Sequence, residues 1–139
     1  IAYVAGYLRQ FDGYDVRVID AKFQRLNFEQ VKQIVADFQP DVVGLGALTN
    51  EIKPAAYLCS HIKDLVPKVV TVIGGPHVTA IPESTLREFP MFDIGVVGEG
   101  EITFHRLCET IRDGGDFREI QSLCFREKDQ IVSTPKRER

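Results

Sequence analysis

The chain has 139 residues, 44% hydrophobic and 27% charged, with a formal net charge of −3. These values suit one globular domain and exclude a disordered tail, a collagen-like fibre and a disulfide scaffold. No apolar run approaches the ~20 residues of a membrane-spanning helix. No basic stripe precedes Lys136-Arg137-Glu138-Arg139, which argues against nucleic acid as a partner. The chain opens on Ile1 and closes on a polar tail, so it reads as a piece of a longer protein.

Along the chain, Ile1, Val4, Ala5, Leu8 and Phe11 recur at helical spacing until Asp12-Gly13 stops the helix. Val16 to Asp20 is a short β-branched run that predicts a strand. Asn27 with Gln30 three residues on resembles a capping box. Phe28, Val31, Ile34, Val35 and Phe38 then share a helix face that ends at Pro40. Asp41 to Leu48 is continuously apolar or glycine, as a strand buried on both faces should be. The next helix starts between Thr49 and Pro54 and buries Ile52, Ala55, Cys59, Ile62 and Val66. Lys68 to Gly75 is the clearest strand, followed by a short helix at Pro82 to Phe89 and a buried strand at Asp93 to Val97. A helix from Glu101 to Asp113 turns Phe104, Leu107, Cys108 and Ile111 inward and ends at Gly114-Gly115. Ser122 to Arg126 and Gln130 to Ser133 flank a polar turn and predict a β-hairpin.

Cys59, Cys108 and Cys124 form no close pair and follow no signal-like leader, which fits buried apolar thiols in a reducing, cytoplasmic compartment. His105 and Cys108 can share a helix face, but two ligands do not make a metal site. No metal ligand set and no catalytic constellation is predicted.

The alternation of helix and strand predicts an α/β fold, doubly wound and flavodoxin- or Rossmann-like. Its mostly parallel sheet carries helices on both faces over residues 1–118, a hairpin extends it over 119–134, and a linker begins at 135–139. A doubly wound sheet in the order 2-1-3-4-5 places a strand before the helix that begins at Ile1. That first strand is expected upstream, or its place is filled by a neighbouring segment or chain through dimerisation or strand exchange.

Such sheets bind ligands beyond the carboxyl ends of their strands. Here those ends read Gly44-Leu45-Gly46-Ala47-Leu48-Thr49-Asn50, Gly74-Gly75-Pro76-His77-Val78 and Val97-Gly98-Glu99-Gly100-Glu101. Glycines at three neighbouring strand ends bare the backbone for a ligand. Gly44 and Gly46 supply only part of a dinucleotide fingerprint, and no phosphate loop occurs.

The order of these stretches resembles the cobalamin-binding domain. Gly46-Ala47-Leu48 stands where the family carries serine-x-leucine, and Gly74-Gly75 where it carries its glycine pair; the Asp-x-His motif is absent. With GGPHVTA (Gly74 to Ala80), VVGEGE (Val96 to Glu101) and the opening IAYVAGYLR, the chain is similar to the amino-terminal domain of cobalamin-dependent radical SAM enzymes. These include methyltransferases and the anaerobic magnesium-protoporphyrin ester cyclase type. The resemblance implies that this chain presents cobalamin to a carboxyl-terminal radical SAM domain. That partner would hold a [4Fe-4S] cluster and S-adenosylmethionine. It also implies that Gly44 and Gly46 on one wall and Gly74 and Gly75 on the other leave a slot for the cofactor's nucleotide tail. Thr49 or a backbone group would replace the family's serine, His77 would line the groove, and Glu99 or Glu101 would cap a helix or accept corrin amides. Cobalt's lower axial position would be left to water or open. Two other readings stand beside this one: an α/β interaction domain without a corrinoid, and a flavin- or nucleotide-binding domain.

Overall fold

Two parallel crossovers and one hairpin build the sheet. In the computed structural model, which describes residues 1–138, β1 (Val42–Gly46), β2 (Val70–Gly74) and β3 (Ile94–Val96) run parallel. β4 (Leu123–Glu127) and β5 (Gln130–Ser133) complete it antiparallel, in the order β1-β2-β3-β4-β5. The last position of the expected 135–139 linker lies outside the described residues. Before it, Pro135 accepts a hydrogen bond from Ser122 N (2.8 Å) and Arg137 N donates to Ser122 Oγ (2.8 Å), so the tail stays alongside β4.

Helices cover both faces. α1 (Ala2–Leu8) and α6 (Glu101–Asp113) pack on each other over one face. There Val72, Ile94, Val96, Leu107, Leu123 and Phe125 form a buried cluster. α3 (Ile52–Leu65), α4 (Pro76–Ala80) and α5 (Pro82–Glu88) cover the other, where Ile52, Cys59, Ile73, Val78, Leu86 and Phe92 interlock. α2 (Phe28–Phe38) lies against α3 through Val35, Ile62 and Val66. Its start is the expected capping box: Asn27 Oδ1 accepts from Gln30 N at 2.8 Å, and Gln30 Oε1 accepts from Asn27 N at 2.9 Å.

The expected strand at Val16 to Asp20 does not form. Residues 14–20 join no sheet: Val16 O accepts from Arg9 Nη2 at 3.0 Å, and Asp20 bonds only to Phe23 and Gln24 in the turn that follows, among the described residues. A strand is defined by its ladder, and a β-branched run without a neighbour at pairing distance has none. Beside the same gap, Ile34 and Phe38 of α2 are only half-buried, and the Arg17 guanidinium lies 5.0 Å over the Phe38 ring. α4 is an addition: the stretch after Gly75 winds into a helical turn, with Pro76 in the first position.

Of the residues expected to face inward on α6, Leu107 and Cys108 are buried, while Phe104 and Ile111 are half-buried. His105 is buried instead. Its ring stacks on Phe11 at 3.7 Å and meets Tyr7 and Tyr14 edge-on, which makes it a packing residue. All three cysteines are buried and free.

At the amino ends of the strands, Asp93 Oδ2 accepts from Lys63 Nζ (2.7 Å), Thr71 N (3.0 Å) and Thr71 Oγ1 (3.1 Å). This carboxylate joins α3, β2 and the entry to β3. Asp93→Ala is expected to lose about 2–3 kcal/mol in urea denaturation, since the N–H of fully buried Thr71 and the Lys63 ammonium then lose their acceptor, while the Thr71 hydroxyl keeps Met91 O at 2.6 Å.

Burial pushes the Cys59 and Cys108 thiols from an ordinary 9.0 up to about 11. Unfolded thiols ionise first, so their contribution is complete below about pH 9 and declines as pH rises toward 11. The urea midpoint should therefore fall between about pH 8.5 and 10.5, with a shallower slope in the Cys59→Ala, Cys108→Ala double variant.

Candidate functional site

All three parallel strands deliver their carboxyl ends to the same edge of the sheet. The register pairs Gly44 with Val72 and Gly46 with Gly74, so these glycines share the face covered by α1 and α6. A methyl group on Gly44 would come within 3.3 Å of the Phe104 ring, and one on Gly46 within 3.5 Å of Ile1. Above this face opens a groove of about 880 Å³, lined by Gly44, Gly46, Gly74, Gly75, Gly98, Gly100 and Glu101 among the expected residues. Its other walls are α1, the Gly13–Val18 segment, and Phe104, Cys108, Ile111 and Arg112 of α6.

The glycines differ in what they do. Gly75 sits at φ +104°, and a Cβ there would lie 2.8 Å from Ala47 O and 3.0 Å from Ala47 N. Only glycine lets the two strand-end loops approach this closely, so Gly75 serves the turn. Gly98, at φ +79°, likewise serves the backbone. Gly74 has neither constraint: the nearest atom to an added Cβ is Leu45 O at 3.9 Å. The two walls expected from the sequence are instead one floor, with Gly46 and Gly74 side by side.

The remaining expected residues fall outside the groove. Leu48, Thr49, Asn50, Pro76 and Glu99 are exposed around its rim. Ala47 and Val97 are buried beneath the loops. Val78 is fully buried against Gly95 and Leu86, behind the sheet edge. Leu48 N donates to Glu51 Oε2 (3.1 Å), and Glu51 also pairs with Lys22 (3.1 Å). The backbone N–H of Leu48, then Lys22, hold the Glu51 carboxyl below its ordinary value. His77 Nδ1 lies 3.3 Å from Thr49 Oγ1, while its Nε2 is buried without a hydrogen-bond partner. Glu99 caps nothing: the N-cap of α6 is Gly100, with no side-chain cap, and Glu101 opens the helix on the groove side.

Sequence reasoning missed Thr79, whose Oγ1 accepts from Gly98 N at 2.9 Å and ties the second strand end to the third. It also missed the part α1 plays as a wall. The helical spacing of Val4, Ala5 and Leu8 signals a buried face but not which face of the sheet it covers. Among the described residues, no group of three or more His, Cys, Asp or Glu side chains could hold a metal ion.

The family model for the B12 binding domain matches residues 1–108. An uncharacterized methyltransferase of Pyrococcus horikoshii is 36% identical over 137 residues, covering 99% of this chain and 29% of that protein. The anaerobic magnesium-protoporphyrin IX monomethyl ester cyclase of Rubrivivax gelatinosus is 33% identical over 139 residues, covering 97% and 25%. Among solved structures, the radical S-adenosylmethionine methyltransferase TsrM from Kitasatospora setae, with cobalamin and a [4Fe-4S] cluster bound, superposes with a TM-score of 0.80. That match is 21% identical and covers 96% of this chain and 25% of the other, so it speaks to the fold. The chain thus spans under a third of the relatives it matches.

The two neighbouring glycines separate turn from floor. Gly75→Ala is expected to lose about 2–4 kcal/mol in thermal or urea unfolding, from left-handed backbone strain and the clash with Ala47. Gly74→Ala should stay within about 0.5–1 kcal/mol of the parent chain.

Proposed function

This chain belongs to the B12-binding domain family, and on that premise we propose that it holds cobalamin for a radical S-adenosylmethionine domain of a longer protein. The observation that carries the reading is the bare pair Gly46–Gly74 at the carboxyl-end floor of the groove. Backbone conformation does not demand glycine at 74, and packing does not either. What glycine provides there is room over the sheet, which a slender, extended nucleotide tail needs and a packed side chain would remove.

The residues present fit such a tail. Ile1, Val4 and Phe104 give apolar walls for an aromatic base, and the Glu101 carboxylate stands at the same end to accept from hydroxyl or amide donors. Thr49 does not enter the groove; it engages His77 on the rim, so the hydrogen bond that serine makes in relatives falls to backbone groups. His77 turns Nε2 into the protein and does not offer it to the space above the rim. The exposed Leu48 and Ile81 flank the strand-end loops with apolar surface suited to lie under a macrocycle.

When bound, cobalamin supplies a cobalt centre able to carry a methyl group. In the relatives' names this chemistry appears as methyl transfer and as cyclisation. We assign the reaction, the [4Fe-4S] cluster and S-adenosylmethionine to the partner domain. This chain's residues bind, orient and shield.

Hydroxocobalamin mixed with the chain, and with its full-length parent, should remain after desalting with a shifted visible spectrum. Gly74→Leu should weaken retention at least tenfold while the unfolding midpoint is kept. Colourless protein from both preparations refutes the reading, and flavin fluorescence in purified material would point to the nucleotide alternative.

A further inference from the structure

The strand ends that surround the groove are not joined alike. β1 and β2 stay paired to their last residues, Gly46 opposite Gly74, and Ala47 N continues the ladder by donating to Gly74 O at 3.1 Å. Just beyond, Gly75 packs against the Ala47 backbone, and His77 Nδ1 lies 3.3 Å from Thr49 Oγ1. Register, packing and side chains all hold the first loop to the second.

β2 and β3 part earlier. Val72 pairs with Ile94 and Ile73 with Gly95, and the ladder stops there. The chain after β2 then turns into α4, while the chain after β3 runs on through Val97 to Gly98. Among the described residues a single hydrogen bond crosses between these two loops: Gly98 N donates to Thr79 Oγ1 at 2.9 Å. The hydroxyl takes the place of the ladder bond that the diverging strands do not make.

The third loop has other ties, but they fasten it in the opposite direction. Val97 N donates to Ser122 O (2.9 Å) and Thr103 Oγ1 to Gln121 O (3.3 Å), which join the end of β3 and the first turn of α6 to the entry of β4. That entry lies on the far side of β3 from β2. Between these anchors stand Gly98, Glu99 and Gly100. Gly98 turns the backbone at φ +79°, and the Glu99 and Gly100 amides find no acceptor among the described residues. Glycine at 98 and 100 leaves this stretch free to rotate. Yet Gly98, Gly100 and Glu101 all line the groove, so its place there depends on one hydroxyl.

Thr79 is built to hold that place. Its own N–H donates to Gly75 O at 3.1 Å within α4, and its neighbour Val78 is fully buried against Gly95 and Leu86. A seated helical turn carries the side chain, and branching at Cβ restricts its rotamers.

We propose that Thr79, which does not line the groove, is a positioning residue for it. Its hydroxyl fixes the Gly98–Gly100 loop before the cofactor arrives and so raises affinity. The inference rests on the cobalamin reading and deepens it, by giving a residue outside the groove a share in binding. A loop that must be ordered on binding costs affinity, and one neutral hydrogen bond changes such an equilibrium about three- to tenfold. Gly98 is exposed, so water replaces the lost acceptor, and removing the hydroxyl loosens the loop without unfolding the domain.

The test compares Thr79→Val and Thr79→Ser in the full-length parent. Valine keeps the shape and removes the acceptor, whereas serine keeps the acceptor. Without cofactor, the Gly98 amide of the valine variant should exchange about three- to tenfold faster than in wild type. With hydroxocobalamin, its dissociation constant should rise by a similar factor. The serine variant should stay within about twofold of wild type in both readouts, and both variants should keep the urea midpoint. Four results overturn the proposal. One is unchanged Gly98 exchange in the valine variant. Another is faster exchange with unchanged affinity, which would leave the bond a local contact. A third is equal weakening by serine and valine, which would assign the effect to packing of the methyl group. The last is a fall in the urea midpoint that accounts for the lost affinity. Failure of the cofactor reading looks different: wild type itself then retains no cobalamin, whichever residue stands at 79, and the proposal falls with it.

Discussion

Register between β1 and β2 sets Gly46 opposite Gly74, and much of the rest of the site depends on that pairing. A slip of β2 by one residue would turn Gly74 to the face of α3 and place Ile73 under α1 and α6. Ile73 is fully buried in the α3–α5 core, so such a slip would expose the floor to bulk and the core to a void. The hydrophobic pattern of two short strands thus holds the bare floor in place. Gly75 then locks the loop above it, because its close approach to Ala47 leaves no space for another residue.

What the sequence made legible follows from which signals are local. Capping at Asn27, the arrest at Gly114 and the continuous apolar runs of β1 and β2 rest on neighbouring residues, and each stands where expected. The hairpin of β4 and β5 is equally local, with its polar turn between paired strands. Val16 to Asp20 went the other way. Its composition favours a strand, but a ladder needs a neighbour, and composition cannot supply one. Phe104 and Ile111 show the same limit on a helix: their periodicity faces the sheet, yet the slot beside β1 leaves them half-covered.

The site divides along similar lines. Glycine at three strand ends was readable, as was the edge of the sheet they occupy. Which glycine serves the turn and which the floor was not, because φ +104° at Gly75 and open space above Gly74 are properties of the assembled loops. His77 illustrates the difference between proximity in sequence and access in space. It follows the glycine pair directly, yet its Nδ1 faces Thr49 and its Nε2 is enclosed. Thr79, with no distinguishing pattern around it, is the residue that joins two of the three loops.

An unpaired edge on an apolar strand such as β1 is a strong physical demand. β1 presents outward peptide groups beside apolar walls on both faces, where water satisfies the backbone but wets Leu45, Phe38 and Phe104. Proteins that leave true edges tend to guard them with charge, proline or a bulge. β1 has none of these: its residues are Val42, Val43, Gly44, Leu45 and Gly46. The edge toward β5 differs, since Gln130 and Ser133 are exposed and polar and the turn beside them carries Lys128 and Asp129. One side of the sheet is thus guarded by polar and charged residues, and the other is not. The bare floor at Gly46 lies on the unguarded side, so the groove above it and the open edge of β1 share the same apolar walls.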